Sequence, residues 1–266
     1  METAPNPRSL PKTRLRGPAP GRGRAFARRI LVIDVGGSHV KLHVTGHEDT
    51  VKLPSGKSLT PGRMLRDAIR AVAEKGWRFD AITIGIPAPI VAGRVALEPA
   101  NLGRGWTRFD FAGAAKKPVR LINDAAMQAL GSYRGRGTML FLGLGTGLGA
   151  AMVVDGTVVP LELARLPYRR GELEDYVGER ALLRLGKTPW RRSVDEVVRS
   201  VAAAFVVDEV VLGGGNARRL KDLPPHSRLG SNALAIVGGV RLWQEQPRAG
   251  QSRFAAARRG RGRSLL

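Results

Sequence analysis

The 266-residue sequence contains no cysteine. Disulfides, thiolate nucleophiles and cysteine-based zinc sites are therefore excluded, and an intracellular protein is the simpler reading. No apolar run approaches the ~20 residues needed to cross a bilayer, and no signal-peptide core follows Met1, so a soluble, cytoplasmic protein without a membrane partner is expected. Acidic residues are scarce: 22 Asp and Glu face 44 Lys and Arg, a formal charge of +22.

The basic surplus is unevenly placed. Residues 1–29 hold eight Lys or Arg and one Glu, and residues 244–266 hold six Arg and one Glu. Both segments are rich in Gly, Pro and Arg and poor in apolar side chains, so neither can offset its ordering entropy and both are expected to be disordered basic tails. The body between them stays basic. That points either to a polyanionic ligand or partner, or to a solvated surface in an arginine-rich chain. With 43% hydrophobic residues the chain can bury one sizeable core or two small ones.

Periodicity organises the body. "RILVIDVGG" reads as a buried strand ending in glycines, "HVKLHVT" as an alternating strand and "TVKLP" as a short third. Thr60 and Pro61 open a helix whose Met64, Leu65, Ala68, Ile69 and Val72 share one face before Gly76 stops it. "DAITIGIPAP" is the next strand. The second half repeats this order more loosely: "TMLFLGLG", "GAAMVVDG" and "TVVP" read as strands, Ser193 and Glu196 as a capping box for "VDEVVRSVAAAF", and "EVVLGGG" as a late strand. Two similar halves predict two lobes, a small α/β lobe over 30–121 and a large one over 122–229, followed by a closing helix over 230–243.

The glycines of "FLGLGTGLGAAMVVDG" allow three readings. Gly145, Gly147 and Ala150 fit a dinucleotide-binding spacing, but that motif must open a helix, and "AMVVDGTVV" continues as strand. A Walker loop lacks its Gly-Lys-Ser/Thr. The third reading is a β-hairpin with a glycine-rich turn, either empty or lined by backbone amides that converge on an anion beside the Thr146 hydroxyl. The construction recurs twice. "DVGGSHVK" places Asp34, Gly36, Gly37, Ser38 and Lys41 at the first hairpin, and "LGGGN" places Gly213, Gly214, Gly215 and Asn216 after the late strand.

In order and wording these motifs resemble the ROK family of sugar kinases, within the sugar kinase–actin–heat-shock ATPase superfamily. The resemblance spans roughly residues 30 to 243. "GIPAP" resembles the family's G-x-P-G-P segment, with Ala88 where glycine is usual; "PANLGRGW" resembles its sugar-side asparagine motif, "NDAAMQAL" its catalytic Asn-Asp helix and "LGSNALAIVGGVRLW" its final helix. The passage "PLELARLPYRRGELEDYVGERALLRLG", without the cysteine-rich zinc motif of most members, is similar to the zinc-free polyphosphate glucokinases. The resemblance implies a two-lobed α/β fold of ribonuclease-H-like topology, with the site in the cleft. It also implies transfer of a phosphoryl group from polyphosphate, ATP or both to the 6-hydroxyl of glucose, with Mg²⁺ and without zinc.

Site residues follow residue by residue. The resemblance places Asp124 at the catalytic aspartate, although Asn123 and Asp124 also read locally as a helix N-cap. An exposed carboxylate there would keep a pKa near the ordinary ~3.9, orienting the hydroxyl and accepting its proton late. Asn101, Asn123, Glu162 and Glu174 match the family's sugar contacts. Gly36, Gly37, Ser38 and Lys41, with Gly145, Thr146 and Gly147, match its phosphate loops, and Gly213 to Asn216 its donor-side loop. Asp34 is expected to hold a water-bridged Mg²⁺, while Lys41 either assists or simply snorkels. The four histidines show no ligand spacing.

One position departs from the pattern. The family's Glu-x-x-His is here Glu162-Leu163-Ala164-Arg165, so a permanent cation replaces a neutral ring. Three roles are open to Arg165: donating to a sugar oxygen, pairing with Glu162 and blocking the site, or marking a changed acceptor. Trp190-Arg191-Arg192 reads as an exposed loop, with stacking or phosphate-chain binding as the alternative. Two other functions compete: an ATP-dependent kinase for another hexose, and a catalytically weakened sugar-binding regulator. Residues 1–29, with their prolines and glycines, cannot supply the helix-turn-helix of the family's repressors. Nucleic acid enters only through the basic tails, and a homodimer is open to the chain because many members are dimers.

Overall fold

The structure is a computed structural model that describes residues 28–244; the two basic tails expected from composition lie almost wholly outside that range. Three strands, β1 (Ile30–Val35), β2 (His39–Val44) and β3 (Val51–Pro54), form an antiparallel meander. All six residues of β1 are buried, as a central strand covered on both faces requires. Helix α1 (Pro61–Glu74) starts where the sequence places it: Thr60 Oγ1 accepts from the Arg63 amide at 3.4 Å, and Met64, Leu65, Ala68 and Val72 are buried. Strand β4 (Ala81–Ile86) then runs parallel to β1. A short hairpin, β5 (Ile90–Val91) and β6 (Arg94–Val95), and helix α2 (Phe111–Ala115) precede β7 (Val119–Asn123), which adds parallel to β4. The sheet order is β3-β2-β1-β4-β7.

After helix α3 (Asp124–Ser132) the scheme recurs. Strands β8 (Thr138–Leu144), β9 (Leu148–Val154) and β10 (Thr157–Leu161) form a second antiparallel meander. The chain then passes through the hairpin β11 (Pro167–Tyr168) and β12 (Gly171–Glu172) and helices α4 (Glu174–Val177), α5 (Glu179–Leu185) and α6 (Lys187–Phe205). Strand β13 (Glu209–Gly213) runs parallel to β8, and β14 (Ser227–Leu229) parallel to β13, giving the order β10-β9-β8-β13-β14. The second sheet reproduces the first strand for strand: a duplicated ribonuclease-H-like topology.

Helix α7 (Leu234–Arg241) ties the halves together. It crosses α3 at two glycines so closely that a Cβ on Gly131 would stand 1.8 Å from the Leu234 carbonyl oxygen, and one on Gly238 1.8 Å from that of Met127. Arg241 Nη1 donates to the carbonyls of Leu130 and Tyr133 at 2.8 Å, closing the end of α3. Toward the first sheet, buried Thr83 donates to the Gly239 carbonyl at 2.7 Å and accepts from Trp243 Nε1 at 2.8 Å. No described helix is long and apolar enough to cross a membrane.

Three local expectations are corrected. Helix α6 does not begin at Ser193 but runs unbroken from Lys187. Its apolar stripe starts a turn earlier, at Trp190, so Ser193 is buried mid-helix and Glu196 points away to Arg169 at 2.6 Å. Trp190-Arg191-Arg192 is consequently helix and not exposed loop; Trp190 is fully buried and its indole N–H donates to the Val177 carbonyl at 2.9 Å. The first sheet also extends past residue 121, because Gly85 and Ile86 pair with Ile122 and Asn123.

Candidate active site

A cavity of about 350 Å³ lies between the two halves, lined by Gly37, Asn101, Asn123, Asp124, Gly145, Thr146, Gly147, Glu162, Glu174 and Gly214 among others. A slightly larger one, about 410 Å³ between β3 and α1, holds none of the residues expected to do chemistry.

The end of β7 delivers Asn123 and Asp124 to this cavity. Asn123 is the N-cap: its Oδ1 accepts from the Ala126 amide at 3.1 Å, and its Nδ2 donates to the Ala88 carbonyl at 3.3 Å. The capping task therefore falls on Asn123, and Asp124 becomes the first helical residue, with one oxygen accepting from the Ala125 amide at 2.8 Å. Its carboxyl is not the ordinary exposed group expected. Removal from water, with the nearby charges of Asp34 and Glu162, pushes its pKa up to about 6, against the pull of backbone amides.

Both phosphate-type turns are hairpins. In the first, the Gly36 amide donates to the His39 carbonyl at 3.0 Å, and Ser55 Oγ donates to the Gly36 carbonyl at 2.6 Å. Gly37 and Ser38 stay exposed. Asp34, buried at the end of β1, faces Lys41 across the β1–β2 ladder and pairs with its Nζ at 3.2 Å. The second turn, Gly145–Gly147, joins β8 to β9, and the continuing strand disposes of the dinucleotide reading. The Gly145 amide is turned inward onto the carbonyls of Gly143 and Gly147. Among the described residues the amides of Thr146 and Gly147 have no backbone or side-chain acceptor, so they are open to solvent or a ligand.

The donor-side loop is locked to that second turn. Gly214 takes φ +81 and packs so tightly that a Cβ would stand 2.5 Å from the Leu144 carbonyl. Asn216 donates from its backbone to Leu144 O at 3.0 Å and from Nδ2 to Gly145 O at 3.2 Å. Of this loop only Gly214 lines the cavity; Gly213, Gly215 and Asn216 lie behind it or beside it.

On the other side Asn101 rides a loop whose organiser the sequence reading missed. The Glu98 carboxylate accepts from the amides of Gly105 (3.0 Å), Trp106 (3.1 Å) and Thr107 (3.3 Å), and from the Thr107 hydroxyl at 2.8 Å. A carboxylate beside a glycine-rich loop full of unpaired amides was the available signal. Glu174, first residue of α4, accepts from the Leu148 amide at 3.0 Å. Arg165 does not join them. Its guanidinium is exposed and bound to Glu172 at 3.0 Å, so it neither lines the cavity nor pairs with Glu162.

Comparison with known proteins agrees with this geometry. Residues 30–160 match the family model described as ROK family. A polyphosphate glucokinase of Mycobacterium tuberculosis (strain CDC 1551 / Oshkosh) is 27% identical over 218 residues, covering 74% of this chain and 81% of that protein. One of Mycobacterium leprae (strain TN) is 26% identical over 240 residues, 82% of this chain and 71% of that protein. The inorganic polyphosphate/ATP-glucomannokinase of Arthrobacter sp. strain KM superposes with a TM-score of 0.69 at 23% identity, over 80% of this chain and 97% of that one. A ROK family glucokinase from Streptomyces griseus, solved with glucose and AMPPNP, gives 0.61 at 19% identity over 80% and 98%. The two-lobed architecture is the actin-like ATPase fold, and residues 30–160, just under half of the chain, are similar to the ROK family.

Proposed function

We propose that the chain is a phosphotransferase that moves a phosphoryl group from polyphosphate, ATP or both to the 6-hydroxyl of glucose. The observation that carries this reading is Asp124: a carboxylate with its pKa raised to about 6, between a wall of sugar-type polar residues and two glycine turns with open amides.

Phosphoryl transfer requires donor charge to be neutralised, the acceptor hydroxyl to be held in line and its proton to be removed. Asn101, Asn123, Glu162 and Glu174 supply fixed donors and acceptors for sugar hydroxyls, where an unpaired polar group in a closed site would be costly. The amides of Thr146 and Gly147 and the Gly36–Ser38 turn meet the donor phosphates at close range. Asp124 orients the attacking hydroxyl and takes its proton; the raised pKa brings it nearer the working range of a general base than a free carboxylate. Asp34 is the residue that would hold Mg²⁺. A single carboxylate there would leave water and donor oxygens to complete the shell, as is common for Mg²⁺ with phosphate substrates. Such an ion would neutralise donor charge.

The test is glucose 6-phosphate formation by the purified chain with Mg²⁺, comparing long-chain polyphosphate with ATP and glucose with mannose, since one structural relative is named a glucomannokinase. Product from wild type, lost by about 10²- to 10⁴-fold in Asp124→Asn, is expected. Folded protein that makes no sugar phosphate from either donor would refute the reading.

A further inference from the structure

Six cations stand together beside the donor loop and play no part in the cavity. Lys187, Arg191 and Arg192 come from the first turns of α6, Arg218 and Arg219 from the 3-10 turn Ala217–Arg219, and Lys221 from just after it. Burial of Trp190 turns Arg191 and Arg192 outward. Arg191 Nε donates to the Arg219 carbonyl at 2.7 Å, which joins the two segments. The 3-10 turn in turn continues directly from Asn216, whose side chain is bonded to Gly145 of the phosphate-type turn. All but Arg191 are exposed, and Arg191 is half-buried.

Their charge is uncompensated. Among the described residues none of the six forms an ion pair, whereas Arg63, Arg70, Arg165, Arg169, Arg199 and Arg228 all do. The carboxylates nearest in sequence are Asp222, next to Lys221, and Asp195 and Glu196, one helical turn beyond Arg191 and Arg192, which pair instead with Arg199 and Arg169. Clustered like charge opposes the compact state and attracts polyanions to the surface that bears it. The cluster is continuous with the donor loop, so an anionic chain with one end over the Gly145–Gly147 turn would extend along it.

We propose that this face of α6 and the Ala217–Arg219 turn is a track for the distal phosphates of a polymeric donor. The proposal rests on the phosphotransferase reading and concerns only phosphates beyond those held over the cavity. ATP and tripolyphosphate are too short to use it fully; a long chain gains the added attraction. A nucleic acid would present similar charge, but bases have no stacking platform here, because the one aromatic side chain of the cluster, Trp190, is fully buried.

The experiment compares long-chain polyphosphate with tripolyphosphate as donors for wild type, for Arg192→Gln/Arg218→Gln/Arg219→Gln, and for the same three positions changed to Lys. In wild type the KM per chain should be lower for the long chain. In the Gln variant that advantage should shrink by about tenfold and lose most of its salt sensitivity, since each exposed pair contributes modestly and three are removed. The Lys variant should recover most of it. An unchanged chain-length advantage in the Gln variant overturns the proposal, as does a selective loss of single-stranded RNA binding with polyphosphate affinity intact. Direct titration calorimetry with the two polyphosphates separates this from the parent reading. If wild type forms no sugar phosphate yet binds the long chain through these arginines, the catalytic reading fails and the track stands.

Discussion

The carboxylate of Glu174 accepts from the Leu148 amide at 3.0 Å and fills the space beside Gly147, where an added Cβ would stand 2.2 Å from its Oε2. A cavity-lining carboxylate is thus fixed by the backbone of the Gly145–Gly147 turn; under the proposed function the acceptor and donor sites would share that joint. Gly147→Ala should displace Glu174, since the far end of a side chain yields more easily than backbone. We expect the sugar KM to rise about tenfold, with a smaller change in donor KM and a Tm within a few degrees of wild type. Steady-state kinetics against both substrates checks it. An unaltered sugar KM would remove Glu174 from the acceptor site.

The pH profile should report Asp124. Because its pKa is raised to about 6, kcat/KM should fall on the acid side with a midpoint near 6, well above the ordinary 3.8. Burial is the largest cause and the Asp34 charge the next. Asp34→Asn should therefore move the acid limb downward whatever it does to the plateau. A limb that stays in place in that variant would show that Asp34 and Asp124 do not interact as their placement implies.

The same shift has a stability consequence opposite in sign to that of a paired carboxylate. A folded pKa above the unfolded value means that the native state binds the proton more tightly, so stability is full below about 3.8 and declines as pH rises through about 6. Asp124→Asn removes a charge that the folded state tolerates poorly. At neutral pH it should raise unfolding free energy by roughly 1–3 kcal/mol, a gain that vanishes near pH 4. Denaturant melts at the two pH values decide the matter. A variant less stable at both would contradict the burial of an ionised carboxylate here.

Much of this site was legible because glycine and turn chemistry are local. Strands β1, β8 and β13 end in glycine runs that only a turn tolerates, and the helix opened by Thr60-Pro61 starts as its cap dictates. What was hidden depends on distant partners. The strand "VRLIN" is short and carries its burial through pairing with β4, so neither length nor alternation marks it. The capping box at Ser193 failed because the Trp190 contact with the segment around Val177 goes with a helix that starts about two turns upstream, at Lys187, which no local rule reveals. Asp124 looked like an ordinary carboxylate for the same reason: the burial that chiefly shifts it arises only on folding, and the charges of Asp34 and Glu162 that add to it come from far away in sequence. Glu98 and Ser55 hold the two loops that matter, yet each is a single polar residue whose partners appear only after folding.

Arg165 stands where the family pattern has histidine, and its geometry gives a sharp expectation. The guanidinium is exposed, bound to Glu172 at 3.0 Å and absent from the cavity wall. Its attachment to Glu172 spans the hairpin between Glu162 and Glu174, so its part is to steady the segment that carries both carboxylates. Arg165→Ala should then change kcat by less than about threefold and raise sugar KM modestly, because an exposed pair in water contributes little. Glu172→Gln should reproduce the effect, and the double variant should add nothing further, as two members of one pair do not act independently. A loss of kcat beyond about a hundredfold in Arg165→Ala, with Glu172→Gln near wild type, would mean that the arginine leaves Glu172 during turnover and reaches the acceptor or the transferring phosphoryl group itself.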